Sequence, residues 1–185
     1  MISKKTTYYD PKKSSAITQF QHDFLILLQK KHKKNQPLVL ICVGSDRATG
    51  DCLGPIVGQS LKNSSVYSVY GTLQVPIHAK NINTAIKHAY NFHKDPFIIA
   101  IDSCLGFQEH LGYVTLSTLP LFPGQGVCKN LSSFGNLSIT GIVDIFSETD
   151  PTVIQTTRLK TVMDLASFII SGITLSKSQA SYLHL

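Results

Sequence analysis

Two continuous apolar runs constrain the fold of this chain more than any other feature of its sequence. PLVLICVG covers residues 37–44, and KDPFIIAID covers residues 94–102. Each run is short, rich in Val, Ile and Leu, and without polar alternation, which predicts a strand buried on both faces. Such strands belong to parallel sheets with helices packed against them, so the sequence predicts an α/β fold.

The rest of the chain predicts further helices and strands around these two runs. Helices are predicted over 16–34, over 55–62, from Asn81 to Ala89 and from Asp150 to Gly172, and strands over 66–73, 112–118 and 137–145. The order β-α-β-α-β-β-β-α predicts a three-layer α/β/α sandwich with a mostly parallel five-stranded sheet.

The connections predict how the strands are arranged. The third and fourth strands are separated only by 103–111, which is too short for a parallel crossover, so the fourth strand is predicted to be antiparallel to the third. Right-handed crossovers and a 2-1-3 order place the first and third strands side by side.

Length and charge limit the classes of protein to consider. A chain of 185 residues fits one domain, which we assign to 16–185 behind a flexible polar leader over 1–15. We find neither a membrane-length apolar run nor a secretory h-region, so we expect a cytoplasmic protein that does not bind membranes. The net charge of +6 is confined to the lysine-rich first 34 residues. The remainder is neutral, which argues against nucleic-acid binding.

Two aspartates are the strongest candidates for chemistry. Asp102 ends the third strand, and Asp51 lies in the loop that leaves the first strand. Open α/β sheets bind ligands beyond the carboxyl ends of their strands, and neighbouring strands lie about 4.8 Å apart. The two carboxyl groups are therefore predicted to face one crevice, where only one of them ionises readily and the pair can act as acid and base. The alternative is that Asp51 caps a helix and Asp102 binds loop amides.

Polar residues near the predicted crevice suggest a substrate-binding site. Asp46 and Arg47 share a loop with Asp51, and His78 follows the second strand. Arg47 can hold a substrate carboxylate or pair with a nearby aspartate, and His78 can orient substrate or make ordinary loop hydrogen bonds.

We expect neither a cofactor nor a metal. The loop GSDRATG has neither a dinucleotide fingerprint nor a phosphate-loop motif. Cys52 and Cys104 follow the two aspartates closely, so a mixed sulfur and oxygen metal site is an alternative to two buried thiols.

Three segments resemble the YyaC-type spore proteins: GSDRATGDCLGPIVG (44–58), VYGTLQVPIHAKN (69–81) and IIAIDSCLG (98–106). That family is similar to the spore germination protease and, more remotely, to hydrogenase maturation proteases, which share a phosphorylase/hydrolase-like fold. T-G-D-C-L-G-P matches a germination-protease segment that supplies one essential aspartate, here Asp51. A strand ending in I-D supplies the other, here Asp102, and PGQGV (123–127) resembles a later segment. The nickel-binding His of the hydrogenase proteases has no counterpart among Ser132, Ser133 and Asn136.

The resemblance implies a peptidase-like hydrolase that acts on a protein or peptide in the cytoplasm of the developing spore or mother cell. The alternative is a non-catalytic spore protein that retains the protease scaffold and holds a peptide or partner. Self-association into a homo-oligomer stays open, because the sequence does not address it.

Overall fold

The central sheet of the protein has six strands in the residues that a computed structural model describes, which are 5–123, 132–147, 153–175 and 179. The strands are β1 Thr6–Tyr9, β2 Leu38–Cys42, β3 Tyr67–Tyr70, β4 Phe97–Gly106, β5 Val114–Ser117 and β6 Leu137–Ile145. The helices are α1 Ala16–Lys31, α2 Leu53–Leu61, α3 Ile82–Phe92, α4 Val153–Thr156 and α5 Leu159–Ile173, with 3₁₀ turns at Thr49–Cys52 and Gln108–His110. No helix among these residues is both long and apolar enough to cross a bilayer.

The two apolar runs form neighbouring strands in the middle of the sheet. The sheet order is β1-β5-β6-β4-β2-β3, and β2 pairs in parallel with both β3 and β4. The predicted 2-1-3 arrangement of the first three strands is therefore confirmed. Every residue of β2 is buried, as expected for a strand covered on both faces.

The outer strand β1 was not predicted from the sequence. Residues 6–9 form β1, which pairs antiparallel with β5, so the sheet has six strands rather than five and this segment is not a flexible leader. Thr and Tyr favour extended structure, and Tyr9 gains burial because its ring packs 5.0 Å from that of Phe20. The Tyr9 hydroxyl also donates to Asp23 on α1 at 2.8 Å.

The predicted antiparallel strand is β5. It runs antiparallel to β6, and because β6 is parallel to β4, β5 also runs opposite to β4 as predicted. Its neighbours are β6 and β1, however, rather than the strand that precedes it. The connection Phe107–Tyr113 therefore crosses the position of β6 to reach the outer part of the sheet.

Two groups of buried side chains cover the opposite faces of the sheet. Along β2, Leu38, Leu40 and Cys42 pack with α1, α2 and α5, whereas Val39 and Ile41 pack with α3. Among the described residues, α3 is the one helix that packs on the second face. Loop residues such as Leu121 and Phe134 complete the cover of that face. The two outer layers are thus unequal, which departs from a regular sandwich.

Candidate functional site

At its carboxyl end, the inner strand β2 meets both its neighbour β4 and the loop that follows β3. Val43 continues β2 and donates its N–H to Ile101 of β4 at 2.7 Å. The next residue, Gly44, donates to Ile77 at 2.7 Å. These bonds bring the loop that carries Asp51, the part of β4 next to Asp102, and the residue before His78 to the same place.

Asp102 lies within β4 and is buried, so the prediction that the strand ends at this residue is wrong: β4 continues to Gly106 through its pairing with β6. Asp102 is only 8% exposed, and it lies in register with Thr140 of β6. Its Oδ1 accepts the N–H of Ser103 at 2.8 Å. Burial raises the pKa of Asp102 well above its usual range, the charge of Asp51 raises it further, and the Ser103 bond opposes the shift. This carboxyl group therefore retains its proton to a higher pH than an exposed aspartate.

Asp51 lies in the 3₁₀ turn that precedes α2. The turn is tied to the end of β2, because Ser45 donates its N–H to the carbonyl of Asp51 at 3.1 Å. Gly44 makes this approach feasible: its φ is +137°, and a Cβ built on it would lie 2.0 Å from the Asp51 carbonyl oxygen. Burial raises the pKa of Asp51 to about 6, against a backbone hydrogen bond from Ser45 that lowers it.

The predicted pair is brought together at the edge of the sheet. The charge of Asp51 acts on the pKa of Asp102, so the two carboxyl groups lie within electrostatic reach of each other. No side-chain cap bond is made at the start of α2, where Asp51 was the alternative cap, and the N–H that Asp102 accepts belongs to Ser103 in β4 rather than to a loop. Burial raises the pKa of both carboxyl groups and the charge of Asp51 adds to the shift at Asp102, so the two groups do not ionise together readily.

The three predicted substrate-binding residues have different surroundings. Asp46 and Arg47 are exposed on the loop before the turn. Ion pairs within the described residues join Lys33 to Asp95 and Lys160 to Asp164, so Arg47 is not used to brace its loop through one.

His78 is tied to its own loop through the backbone. Its N–H donates to Asn81 Oδ1 at 2.8 Å, and its Nδ1 accepts the N–H of Lys80 at 3.3 Å. An acceptor at Nδ1 implies that the neutral ring carries its proton on Nε2.

The two thiols are occupied by separate hydrogen bonds. Cys52 lies near the carbonyl oxygens of Ser45 and Ala48, and Cys104 donates to Thr140 Oγ1 at 3.5 Å. Burial is the main cause that raises the pKa of each thiol. Within the described ranges, no three His, Cys, Asp or Glu residues are arranged to hold a metal ion.

One carboxylate at the same edge of the sheet was missed by the sequence analysis. Asp144 lies near the end of β6, and its Oδ2 accepts the hydroxyl of Thr157 at 2.9 Å. An apolar strand closed by an aspartate is the signal that identified Asp102, and LSITGIVDI carries it as well. Of the other predicted features, residues 124–127 of PGQGV and the cap at Asp150 lie outside the described residues.

Comparisons with known proteins identify relatives over most of the chain. A family model described as "Protein of unknown function (DUF1256)" matches residues 7–172. The "Uncharacterized protein YyaC" of Bacillus subtilis (strain 168) is 43% identical over 143 residues, which is 76% of this chain and 70% of the relative. The match with the family model includes both aspartates and the turn that carries Asp51.

Proposed function

This chain belongs to the DUF1256 family, and we propose that it is a peptidase-like hydrolase that uses Asp51 and Asp102 as an acid–base pair. The observation that carries the proposal is the unequal burial of the two carboxyl groups, because Asp102 is 8% exposed and Asp51 is only partly buried. Burial raises the pKa of Asp51 to about 6, and burial together with the charge of Asp51 raises the pKa of Asp102 well above its usual range. Two neighbouring carboxyl groups in different surroundings are suited to acid and base roles at one pH.

The roles follow from the protonation states. Ionised Asp51 takes a proton from a water molecule, whose oxygen then attacks the carbonyl carbon of a peptide bond. Protonated Asp102 donates its proton to the carbonyl oxygen as the C–O double bond becomes single. When the tetrahedral intermediate collapses, the C–N bond breaks, the amine takes the proton held by Asp51, and Asp102 recovers its own.

Neighbouring residues supply binding groups for a peptide. The Nε2–H of neutral His78 is a donor suited to a substrate carbonyl, and the exposed guanidinium of Arg47 is suited to a substrate carboxylate. Asp46, beside Arg47, can attract a basic substrate side chain.

The biological setting is proposed from the resemblance described above. Similarity to the spore germination protease supports a protein or peptide substrate in the cytoplasm of the developing spore or mother cell. The same resemblance supports a phosphorylase/hydrolase-like α/β sandwich as the fold family. The proposed pair lies beside the inner strands β2 and β4, away from both outer strands of the sheet. This position is compatible with either an isolated chain or a homo-oligomer.

The test is to incubate the purified protein with spore proteins and to follow new fragments by mass spectrometry between about pH 4 and pH 8, a range chosen to cover about two units on either side of the expected transition. Asp51→Asn and Asp102→Asn should each reduce cleavage by about 10³-fold. Asp164→Asn, which changes an exposed carboxylate of α5 paired with Lys160, should not. The rate of the wild type should rise through about pH 6 as Asp51 ionises.

Cleavage that survives in either Asp→Asn variant would contradict the assignment. The second candidate function is non-catalytic peptide binding, which is favoured by the exposed side chains of Asp46 and Arg47 on the loop before the Asp51 turn. It predicts saturable binding of spore peptides without fragments at any pH.

A further inference from the structure

The short helix α4 packs directly against the turn that carries Asp51. A Cβ built on Gly50 would lie 2.6 Å from the carbonyl oxygen of Ile154 and 2.8 Å from the Thr157 hydroxyl. The turn and α4 therefore approach each other more closely than any residue other than glycine allows. Since Gly50 precedes Asp51 directly, a movement of α4 is transmitted to the aspartate.

One buried hydrogen bond holds this contact to the sheet. Thr157 is 5% exposed, and its hydroxyl donates to Asp144 Oδ2 at 2.9 Å, with the Val153 carbonyl oxygen farther away at 3.3 Å. The other oxygen of Asp144 accepts the N–H of Ile145 at 2.9 Å, which fixes the carboxylate at the end of β6. A buried hydroxyl without its acceptor is costly, so this bond favours one position of the segment between α4 and α5.

We infer that Asp144 and Thr157 are positioning residues for Asp51: the hydrogen bond between them holds α4 against Gly50 and keeps the 3₁₀ turn closed over the carboxyl pair. The contacts form one continuous path from β6 through Thr157 and Gly50 to Asp51. Asp144 takes no part in the chemistry on this account, because both of its oxygens are already used in hydrogen bonds.

Holding the turn has a chemical consequence, which rests on the proposed function. Asp51 is only partly enclosed, and burial is the main cause that raises its pKa. A turn released from α4 admits water, and the pKa of Asp51 then falls toward that of an exposed aspartate. Among the described residues, the ionisable groups near Asp51 are Asp102 on β4, Cys52 in the same turn and Asp46 on the adjoining loop, and substitution at residue 157 changes none of them. Asp144 is the carboxylate that Thr157 itself contacts, and it keeps its bond to the N–H of Ile145 in every variant.

The experiment is a carboxyl ¹³C NMR titration of Asp51 in the full chain, because it reads the position of the turn without any assay of activity. Thr157→Val removes the hydroxyl and preserves the shape of the side chain. We expect it to lower the pKa of Asp51 by about one unit. Thr157→Ser restores the donor and should return the pKa to the wild-type value. Thr156→Val is the matched control, since Thr156 is exposed and, within the described part of the chain, its hydroxyl donates to the Val153 carbonyl oxygen at 3.2 Å rather than to Asp144.

The outcomes separate this inference from the proposed function. An unchanged pKa of Asp51 in a folded Thr157→Val protein would overturn the positioning role, even if the wild type cleaves peptides. A lowered pKa with rescue by Ser would support it, even if no cleavage is found. If Thr157→Val does not fold, Thr157→Ala and Thr157→Ser are compared, and an equal pKa in these two variants also overturns it.

Discussion

Asp102 and Asp51 come within electrostatic reach of each other from two differently built regions. Asp102 projects from β4, which is hydrogen-bonded on both sides to parallel strands and lies in the middle of the sheet. Asp51 projects from a four-residue 3₁₀ turn, held by close approaches at Gly44 and Gly50 and by hydrogen bonds at its ends. The strand residue is placed by regular pairing, whereas the turn residue depends on particular contacts with β2 and α4.

The difference matters for their electrostatics. A carboxyl group in the middle of a sheet is dehydrated by the whole fold, so its pKa is insensitive to small local changes. A carboxyl group on a turn is dehydrated only as long as the turn stays closed. We therefore regard Asp102 as the fixed member of the pair and Asp51 as the adjustable one. The following predictions test that contrast, from the largest expected effect to the smallest.

The close approach at Gly44 should be the costliest to disturb. Gly44→Ala places a Cβ 2.0 Å from the Asp51 carbonyl oxygen at a φ of +137°, so the turn must move away from β2. We expect a loss of about 3 kcal/mol in the free energy of unfolding, measured by urea denaturation. Gly112→Ala is the matched control, because Gly112 also has a positive φ, +81°, but a Cβ there would meet nothing within 4 Å.

The control should cost about 1 kcal/mol, the usual penalty for a left-handed alanine. Equal losses in the two variants would mean that backbone conformation alone, rather than contact with the Asp51 turn, makes Gly44 necessary.

The burial of Asp102 should appear as a dependence of stability on pH. Its pKa is raised in the folded state, so the folded protein binds that proton more tightly than the unfolded chain. Stability from this group is complete below the unfolded pKa of about 3.9 and is lost as the pH rises through the folded pKa. Asp51, with a folded pKa of about 6, contributes in the same direction.

Asp102→Asn should therefore flatten the curve of Tm against pH. We expect the variant to be more stable than the wild type at pH 8 by about 1 kcal/mol, or about 2–4 °C in Tm. Asp164→Asn, at an exposed position on α5, should leave the shape of the curve unchanged. Parallel curves for the wild type and Asp102→Asn would show that Asp102 does not hold its proton in the folded protein.

Substitution of Arg47 should give the smallest effect, and we expect it to change substrate binding without changing the chemical step. If its exposed side chain holds a substrate carboxylate, Arg47→Ala should raise KM by about 10-fold with little change in kcat, which is the pattern for lost uniform binding. Lys62→Ala removes an equally exposed positive charge at the end of α2 and should change neither constant. A fall in kcat with unchanged KM would instead link Arg47 to the acid–base step.

The same contrast explains how far the sequence can predict this molecule. The strands β2 and β4 follow from uninterrupted apolar residues, because burial on both faces is a local pattern, but β4 continues past Asp102 to Gly106 through its pairing with β6. The strand β1 was missed because four residues, Thr6–Tyr9, follow a run of lysines and carry only one fully buried side chain. Its stability comes from Phe20, Asp23 and β5, which are distant in sequence.

The support of Asp51 was beyond prediction for a related reason. The T-G-D-C-L-G-P motif indicates the aspartate itself, but the contact of Gly50 with Thr157 joins residues about a hundred positions apart, and neither is distinctive alone. The roles of Asp46, Arg47 and His78 stay predictions, since their exposed or loop-bound side chains are compatible with several functions.

The edge strand β1 has a practical consequence for handling the protein. Next to β1 in the sheet, β5 consists of four uncharged and buried residues. A strand of that kind with an unpaired edge is a template for pairing between molecules. β1 shields it and presents instead an outer edge flanked by Lys5 and by Pro11, two residues that discourage further strand addition. Deleting residues 1–10 would remove β1 and leave the edge of β5 unpaired. We expect such a protein to aggregate while the arrangement of Asp51 and Asp102 is still intact.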